Sequence, residues 1–266
     1  MNIQLSVIIV NYNGLRFLDD CFQSLYDKLS SLTYEIIVLD NHSTDESCSY
    51  IKSHHPNVRL IESKINYGFG RGNNEAVKHA MGDTILLLNN DTILLDSIDE
   101  LILKLDHDPS IGTIGINMVD ANHQFLPSFG NFPNMWNMFY MKKIQNMCQD
   151  LKTGNFSLES YAVDWISGSF MLMKRKIYEE LEGFDEDYFM YVEDVDFCKK
   201  MEKKGLKRIF IPKFNYVHFV GFSKARNPLL IKGYELFISK HLKGFDKLKC
   251  LFSLKINKVV KLVKNK

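Results

Sequence analysis

The sequence predicts an α/β protein built on a mostly parallel sheet, and three observations carry that expectation. Short apolar runs rich in β-branched residues alternate with segments of helical periodicity. The runs are apolar without interruption, as are strands covered on both faces. Polar clusters stand at their carboxyl ends, at residues 11–14, 40–43 and 89–92, where ligands bind in sheets of this kind.

In order along the chain, residues 5–10 (LSVIIV) read as the first buried strand, broken by 11–14 (NYNG). Leu15, Leu18, Phe22, Leu25 and Leu29 then recur at steps of three and four, an amphipathic helix. Residues 35–39 (EIIVL) form the second strand, ending at Asp40-Asn41-His42. Ser43 and Glu46 fit a capping box that opens a second helix. A third, short strand at 58–61, a helix at 72–81 and a fourth strand at 84–88 (TILLL) follow. Ser97 and Glu100 offer another capping box before 101–105, and 111–119 is strand-like. Residues 121–160, rich in Asn, Phe and Met, read as loop and short helix, a mobile flap. Beyond Trp165 the pattern gives helices at 174–181 and 193–204, the second stopped by Gly205. A strand at 207–211 is ended by Pro212.

With 266 residues, 45% hydrophobic and 24% charged, the chain has ordinary globular composition and can bury a large core. A net charge of +1 gives no argument for a nucleic-acid partner. The charge is uneven, however. From Lys240 to Lys266 nine lysines face one acid, Asp246, a local +8 that leaves −7 for the rest. The five cysteines are odd in number and have no CxxC spacing, which suggests neither a disulfide framework nor a zinc site and favours a reducing compartment. The apolar run at 5–10 is too short for a signal peptide, and no stretch approaches the ~20 apolar residues of a membrane span. The expectation is a cytoplasmic protein, soluble or peripheral at the inner face of the plasma membrane.

Four constellations carry chemistry. Asn89-Asn90-Asp91 follows a buried strand, and a carboxylate there can hold a hard divalent cation on a diphosphate; a turn is the plain alternative. Residues 188–198 (YFMYVEDVDFC) set Glu193, Asp194 and Asp196 among aromatic residues. Carboxylates beside apolar walls act as bases, although an acidic first helical turn explains the same residues. His218 has apolar neighbours and reads as core or ligand. Gly68, Gly70 and Gly72 surround Arg71 in a glycine-rich loop. It is a weak dinucleotide fingerprint, and a phosphate-contacting arginine is the other reading.

Order and spacing join these signals. Residues 6–14 (SVIIVNYNG), 35–47 (EIIVLDNHSTDES), 66–74 (NYGFGRGNN), 84–92 (TILLLNNDT), 165–175 (WISGSFMLMKR), 183–198 (GFDEDYFMYVEDVDFC) and 218–223 (HFVGFS) resemble glycosyltransferase family 2. The resemblance runs from Ser6 to Ser223 and points to the rhamnosyltransferase and galactofuranosyltransferase-like branch of bacterial surface polysaccharide synthesis, O-antigen included. It implies the GT-A fold over residues 1–225, with a nucleotide-sugar half at 1–92 and an acceptor half at 93–225; beyond it, lysines and helical apolar spacing read as a basic helical tail at 226–266. It implies that Asp40 binds the pyrimidine base, with Asn11 and Tyr12 lining its pocket. Arg71 and Asn74 would lie near the ribose and diphosphate, and Asn90 would complete the donor site. Residues 89–91 occupy the place of the family's Asp-x-Asp motif, with Asn89 in place of the first carboxylate. Asp91 and His218 would then bind Mn²⁺ or Mg²⁺, Asp194 would be the base, and Glu193 and Trp165 would shape the sugar and acceptor site. The implied reaction inverts the anomeric centre in one displacement. Its donor would be dTDP-rhamnose or a UDP-sugar, and its acceptor a lipid-diphosphate-linked glycan.

Two rival functions have distinct signatures. A nucleotidyltransferase would carry a glycine-rich basic loop directly after the first strand, where this chain has NYNG. A non-catalytic nucleotide- or glycan-binding module has no need to keep Asp91, Asp194 and His218 together. In the tail, Leu248, Leu251, Phe252, Ile256, Val259, Val260 and Val263 fall mostly at helical spacing, with Lys249, Lys255, Lys258 and Lys261 interleaved. Such a helix suits an anionic membrane surface; a solvated lysine face on a packed helix is the plain reading. A membrane-docking tail would be removable after about Asp246 without loss of the active site.

Overall fold

The computed structural model describes residues 3–145, 147–219 and 226–264, the side chains of Arg226 and residues 261–264 apart. Strands β1 (Leu5–Asn11), β2 (Tyr34–Asp40), β3 (Arg59–Glu62) and β4 (Thr84–Asn89) run parallel in the order β3-β2-β1-β4. Helices α1 (Leu15–Lys28), α2 (Ser47–His54) and α3 (Phe69–Val77) connect them. Val7 and Ile9 enter one apolar cluster with Phe22, Leu25 and Leu101. Ile8 enters another with Leu87, Phe184 and Phe197. Successive side chains of a strand point to opposite faces, so both faces of the sheet are covered, which is why the strands read as unbroken apolar runs.

Beyond β4 come β5 (Thr92–Leu94), α4 (Asp99–His107), β6 (Ile111–Val119), β7 (Phe125–Leu126) and β8 (Phe129–Gly130). Helix α5 (Met135–Phe139), a 3₁₀ turn (Met141–Gln145), α6 (Gln149–Thr153), β9 (Tyr161–Ala162) and β10 (Trp165–Ile166) follow. The chain continues through β11 (Phe170–Lys174), α7 (Arg175–Glu180), α8 (Glu193–Lys203), β12 (Lys207–His218), α9 (Arg226–His241) and α10 (Gly244–Lys264). The main sheet extends past β4 through β11, β6 and β12 to β5, with β11 antiparallel to both its neighbours. The β8–β10 pair stands apart.

Several local expectations are corrected. Neither capping box forms. The Ser43 hydroxyl lies within hydrogen-bond distance of the Asn11 carboxamide and accepts the Asn13 amide, and α2 begins only at Ser47. Ser97 bonds the Asp99 carboxylate, leaving Ile98 at the cap of α4. Helix α3 opens at Phe69, three residues early. Strand β12 does not stop at Pro212; it runs to His218 through a register shift between Ile211 and Asn215, and a bulge is where a strand accommodates proline. β11 lies in a segment the apolar pattern left unassigned. Residues 121–160 are no flap, because Met138, Ile144 and Leu151 are buried in the core. Helix α10 packs on α5, where Asn257 donates to the Phe139 carbonyl at 2.8 Å.

Candidate active site

The carboxyl ends of β1, β2 and β4 converge on one polar cluster. Asn11 pairs with Asp40 in the β1–β2 register, and both are buried. The Asn11 carboxamide donates to Asp40 Oδ1 at 2.8 Å and accepts from Asn90 Nδ2 at 2.7 Å. Asp40 Oδ2 accepts the Ser43 amide at 2.8 Å. Asn13 and His42 hold φ of 51° and 67°, a left-handed turn that asparagine tolerates. The Asn13 carboxamide oxygen takes the Thr44 amide at 2.7 Å and so ties the two turns together. A rigid wall results, with the Tyr12 ring exposed beside it and free to stack on a planar ligand.

The turn after β4 faces the end of β12. Register places His218 opposite Thr92, the Phe219 amide donates to the Asp91 carbonyl at 3.0 Å, and His218 Nε2 lies 3.1 Å from Asp91 Oδ1. The Asn89 carboxamide also touches Nε2, at 3.2 Å. Neighbouring ligands of an octahedral cation stand about 3 Å apart, so Asp91 and His218 fit as two adjacent donors. Among the described residues no group of three His, Cys, Asp or Glu side chains forms a fuller cage. Diphosphate oxygens and water would complete such a shell, as is usual for Mg²⁺.

The acidic helix α8 is brought to this cluster by a small turn. Asp194 Oδ2 accepts the Gly168 amide at 3.1 Å and Oδ1 accepts the Val195 amide at 2.8 Å. One residue on, the Ser169 carbonyl accepts the Asn89 amide at 3.1 Å. The turn at 167–169 therefore bridges the Asp194 carboxylate and the Asn89-Asn90-Asp91 segment. The entry to α8 is strained: Tyr191 and Val192 have φ of 70° and 75°, a costly conformation for a β-branched residue and one that clusters at functional sites. Gly68, at φ 78°, lies so close to this segment that an added Cβ would stand 2.0 Å from the Phe189 carbonyl oxygen. The Phe69 amide donates to that same oxygen at 2.9 Å.

Burial raises the Asp194 carboxyl above the ordinary aspartate range, against the pull of its backbone donors. Glu193 is raised further, by burial first and then by the charges of Asp194 and Asp196, and its Oε2 is buried without a hydrogen-bond partner. A raised carboxylate beside a cluster of polar side chains suits proton abstraction.

Two residues expected in the site are committed elsewhere. Asn74 accepts from the Tyr178 hydroxyl at 2.6 Å and the Phe184 amide at 2.9 Å, and donates to the Phe184 carbonyl at 2.9 Å. It anchors the loop at 183–186. Trp165 is 8% exposed, donates its indole N–H to the Asn131 carbonyl at 3.0 Å and packs over Gly130. Its ring lies within the apolar core. Arg71 stays at the surface, 3.4 Å from Glu186 and stacked on Tyr67. Residues 220–223 of the HFVGFS segment lie outside the described residues. Sequence reasoning missed Asn41, whose carboxamide donates to the Gly68 carbonyl and accepts the Tyr67 amide, joining the second strand to the glycine loop. It also missed the 167–169 turn and the Asp196–His241 contact. None has a spacing signature, although Gly168 between two serines hinted at a tight turn.

Comparison with known proteins shows the family and the fold. The family model described as Glycosyl transferase family 2 matches residues 6–182. Rhamnosyltransferase WbbL of Escherichia coli (strain K12) is 28% identical over 270 residues, covering 92% of this chain and 98% of the relative. The N-acetylglucosaminyl-diphospho-decaprenol L-rhamnosyltransferase of Mycobacterium tuberculosis (strain CDC 1551 / Oshkosh) is 25% identical over 253 residues, 84% of this chain and 78% of the relative. Among solved structures, GalNAc-T7 with UDP, GalNAc and Mn²⁺ superposes with a TM-score of 0.69 at 18% identity, over 93% of this chain. The chain spans about half, 53%, of that longer protein.

Proposed function

Because the chain belongs to glycosyl transferase family 2 and has the GT-A fold, we propose that it is an inverting, cation-dependent rhamnosyltransferase. Its donor is dTDP-rhamnose, with a UDP-sugar as the other candidate, and its acceptor is a hydroxyl of a lipid-diphosphate-linked glycan. The observation that carries the reading is the 167–169 turn, which fastens a raised carboxylate, Asp194, to the segment bearing Asp91. Such an arrangement holds a proton acceptor and a diphosphate site at fixed separation, and positioning of this kind supplies much of the rate in a displacement between two bound substrates. The similarity to rhamnosyltransferases supports the sugar. A diphospho-decaprenol group in one relative's name supports the lipid-linked acceptor.

In this reading the base stacks on Tyr12 and bonds Asp40, which Asn11 and Ser43 hold in place. Both uracil and thymine present the same N3–H to such a carboxylate. Arg71 swings from Glu186 to the diphosphate. Asp91 and His218 would hold Mn²⁺ or Mg²⁺, with imidazole favouring manganese, and the bound cation would supply positive charge to the diphosphate site. Asp194 takes the proton of the acceptor hydroxyl as its oxygen bonds the anomeric carbon. The bond from that carbon to the diphosphate breaks on the opposite face, and the nucleoside diphosphate leaves with the electron pair. Glu193 shapes the sugar pocket from behind Gly70. Asn74 acts indirectly, by holding the loop that precedes α8.

The test is a panel of nucleotide sugars with a short-chain diphospholipid N-acetylglucosamine acceptor. Acceptor-dependent release of nucleoside diphosphate and an inverted linkage are expected. Pyrophosphate release, a retained anomeric configuration, or binding without turnover across the panel overturns the reading.

A further inference from the structure

Helix α10 has two faces. Cys250, Ser253, Leu254 and Asn257 are buried against the body of the protein. On the opposite side stand Phe245, Leu248, Phe252 and Val259, exposed by 70%, 64%, 66% and 54%. Their spacings of three, four and seven residues place them in one stripe of a helix turning 100° per residue. The same rotation puts Lys249 and Lys255 along the two edges of the stripe, with Lys258 a further step round. Helix α5, on which α10 packs through Asn257, has exposed residues of its own, Trp136 and Phe139, followed by exposed Tyr140, Lys142 and Lys143. Single exposed apolar residues need no explanation, but a contiguous stripe marks an interaction surface.

We propose that this surface docks on an anionic lipid bilayer, with the stripe in the interface and the lysines on the headgroups. Charge selects this occupant. From Lys240 onward the sequence has Asp246 as its one acid among nine lysines, and lysines near an anionic leaflet each contribute about 1 kcal/mol. A second copy of the chain would instead bring two such segments together, and like charges oppose that contact. No described helix is long and apolar enough to cross a membrane, so the helix lies on the surface. The opposite face of α10 seals the core at Leu254, 1% exposed. Ending the chain near Asp246 would therefore uncover apolar surface, and point variants make the clean test.

Full-length protein is sedimented with vesicles of phosphatidylcholine, alone or mixed with phosphatidylglycerol. Three forms are compared: wild type, Phe245→Ser/Leu248→Ser/Phe252→Ser/Val259→Ser, and Lys255→Glu/Lys258→Glu. Wild type should bind the mixed vesicles and not the neutral ones. Each variant should lose affinity by ~10-fold or more while keeping the wild-type thermal melt. Should the stripe variant melt early, the charge-reversal pair, both exposed, carries the test alone. Absence of wild-type binding, equal binding by the folded variants, or a concentration-dependent dimer abolished by the stripe substitutions overturns the proposal. The readout is lipid binding, so its failure is distinct from failure of the transfer reaction.

Discussion

Removing the imidazole of His241 should destabilise the protein through a carboxylate on helix α8. His241 closes α9, and its Nε2 lies 2.6 Å from Asp196 Oδ1, with the two side chains 7% and 1% exposed. The Tyr188 hydroxyl donates to the same oxygen at 3.1 Å, while Asp196 Oδ2 is buried without a hydrogen-bond partner. In His241→Ala the carboxylate keeps one neutral donor in a site closed to water. Taking a hydrogen-bond donor away from a buried carboxylate costs about 1–3 kcal/mol or more, and the ring also loses its contact with Phe237 at 4.7 Å and the Lys203 ammonium 2.8 Å from its Nδ1. A domain is stable by only about 5–15 kcal/mol, so the loss is large. Urea unfolding at pH 7.5, with an unchanged slope, measures it. Asp196→Asn removes the stranded charge, so the double variant should recover about 1–3 kcal/mol relative to additivity. A loss under about 1 kcal/mol, or strict additivity, refutes the reasoning. The same substitution should lower kcat more than it weakens donor binding. Helix α9 braces the entry to α8, since Gly233 packs so closely that a Cβ there would lie 2.8 Å from the Tyr191 carbonyl oxygen.

Three further outcomes are expected. Asp194→Asn should cut transfer by ~10²-fold or more with donor affinity kept. In the wild type the acid limb of kcat/KM should lie above the ordinary aspartate value of 3.8, because the working form is ionised and is lost as pH falls through the raised pKa; near-normal turnover of the variant, or a limb below that value, removes Asp194 from the mechanism. Asp91→Ala and His218→Ala should each weaken nucleoside-diphosphate binding measured by calorimetry in Mn²⁺ and leave binding in EDTA unchanged, whereas equal loss in both buffers would argue against cation ligation. Gly68→Ala should lower kcat by at least ~10-fold, since a misplacement of about 1 Å near the chemistry can cost more than that; the test is steady-state kinetics on a variant whose melt shows it folded, and an unaltered kcat contradicts the strained packing of 68 on 189.

The sequence by itself determined the four parallel strands β1 to β4 and where the ends of β1, β2 and β4 would be polar. Burial on both faces forces unbroken apolar runs, and chain direction puts Asn11, Asp40 and Asn89 at their carboxyl ends. It also determined the acidic helix start at Glu193, through local chemistry alone. Only the tertiary structure decided what those residues touch. Strand β11 is invisible as a partner of β4 because antiparallel insertion depends on pairing Phe170 with Leu88 and Lys174 with Thr84, far apart in the chain, not on any local pattern. Asn74 and Trp165 carry family spacing, yet packing gives their polar atoms to backbone groups at 184 and 131, since a buried donor or acceptor must be satisfied wherever its nearest partner lies. His241 acquires its meaning from Asp196, and α10 its two faces from α5. Both are long-range contacts, which periodicity over a few turns of chain cannot encode.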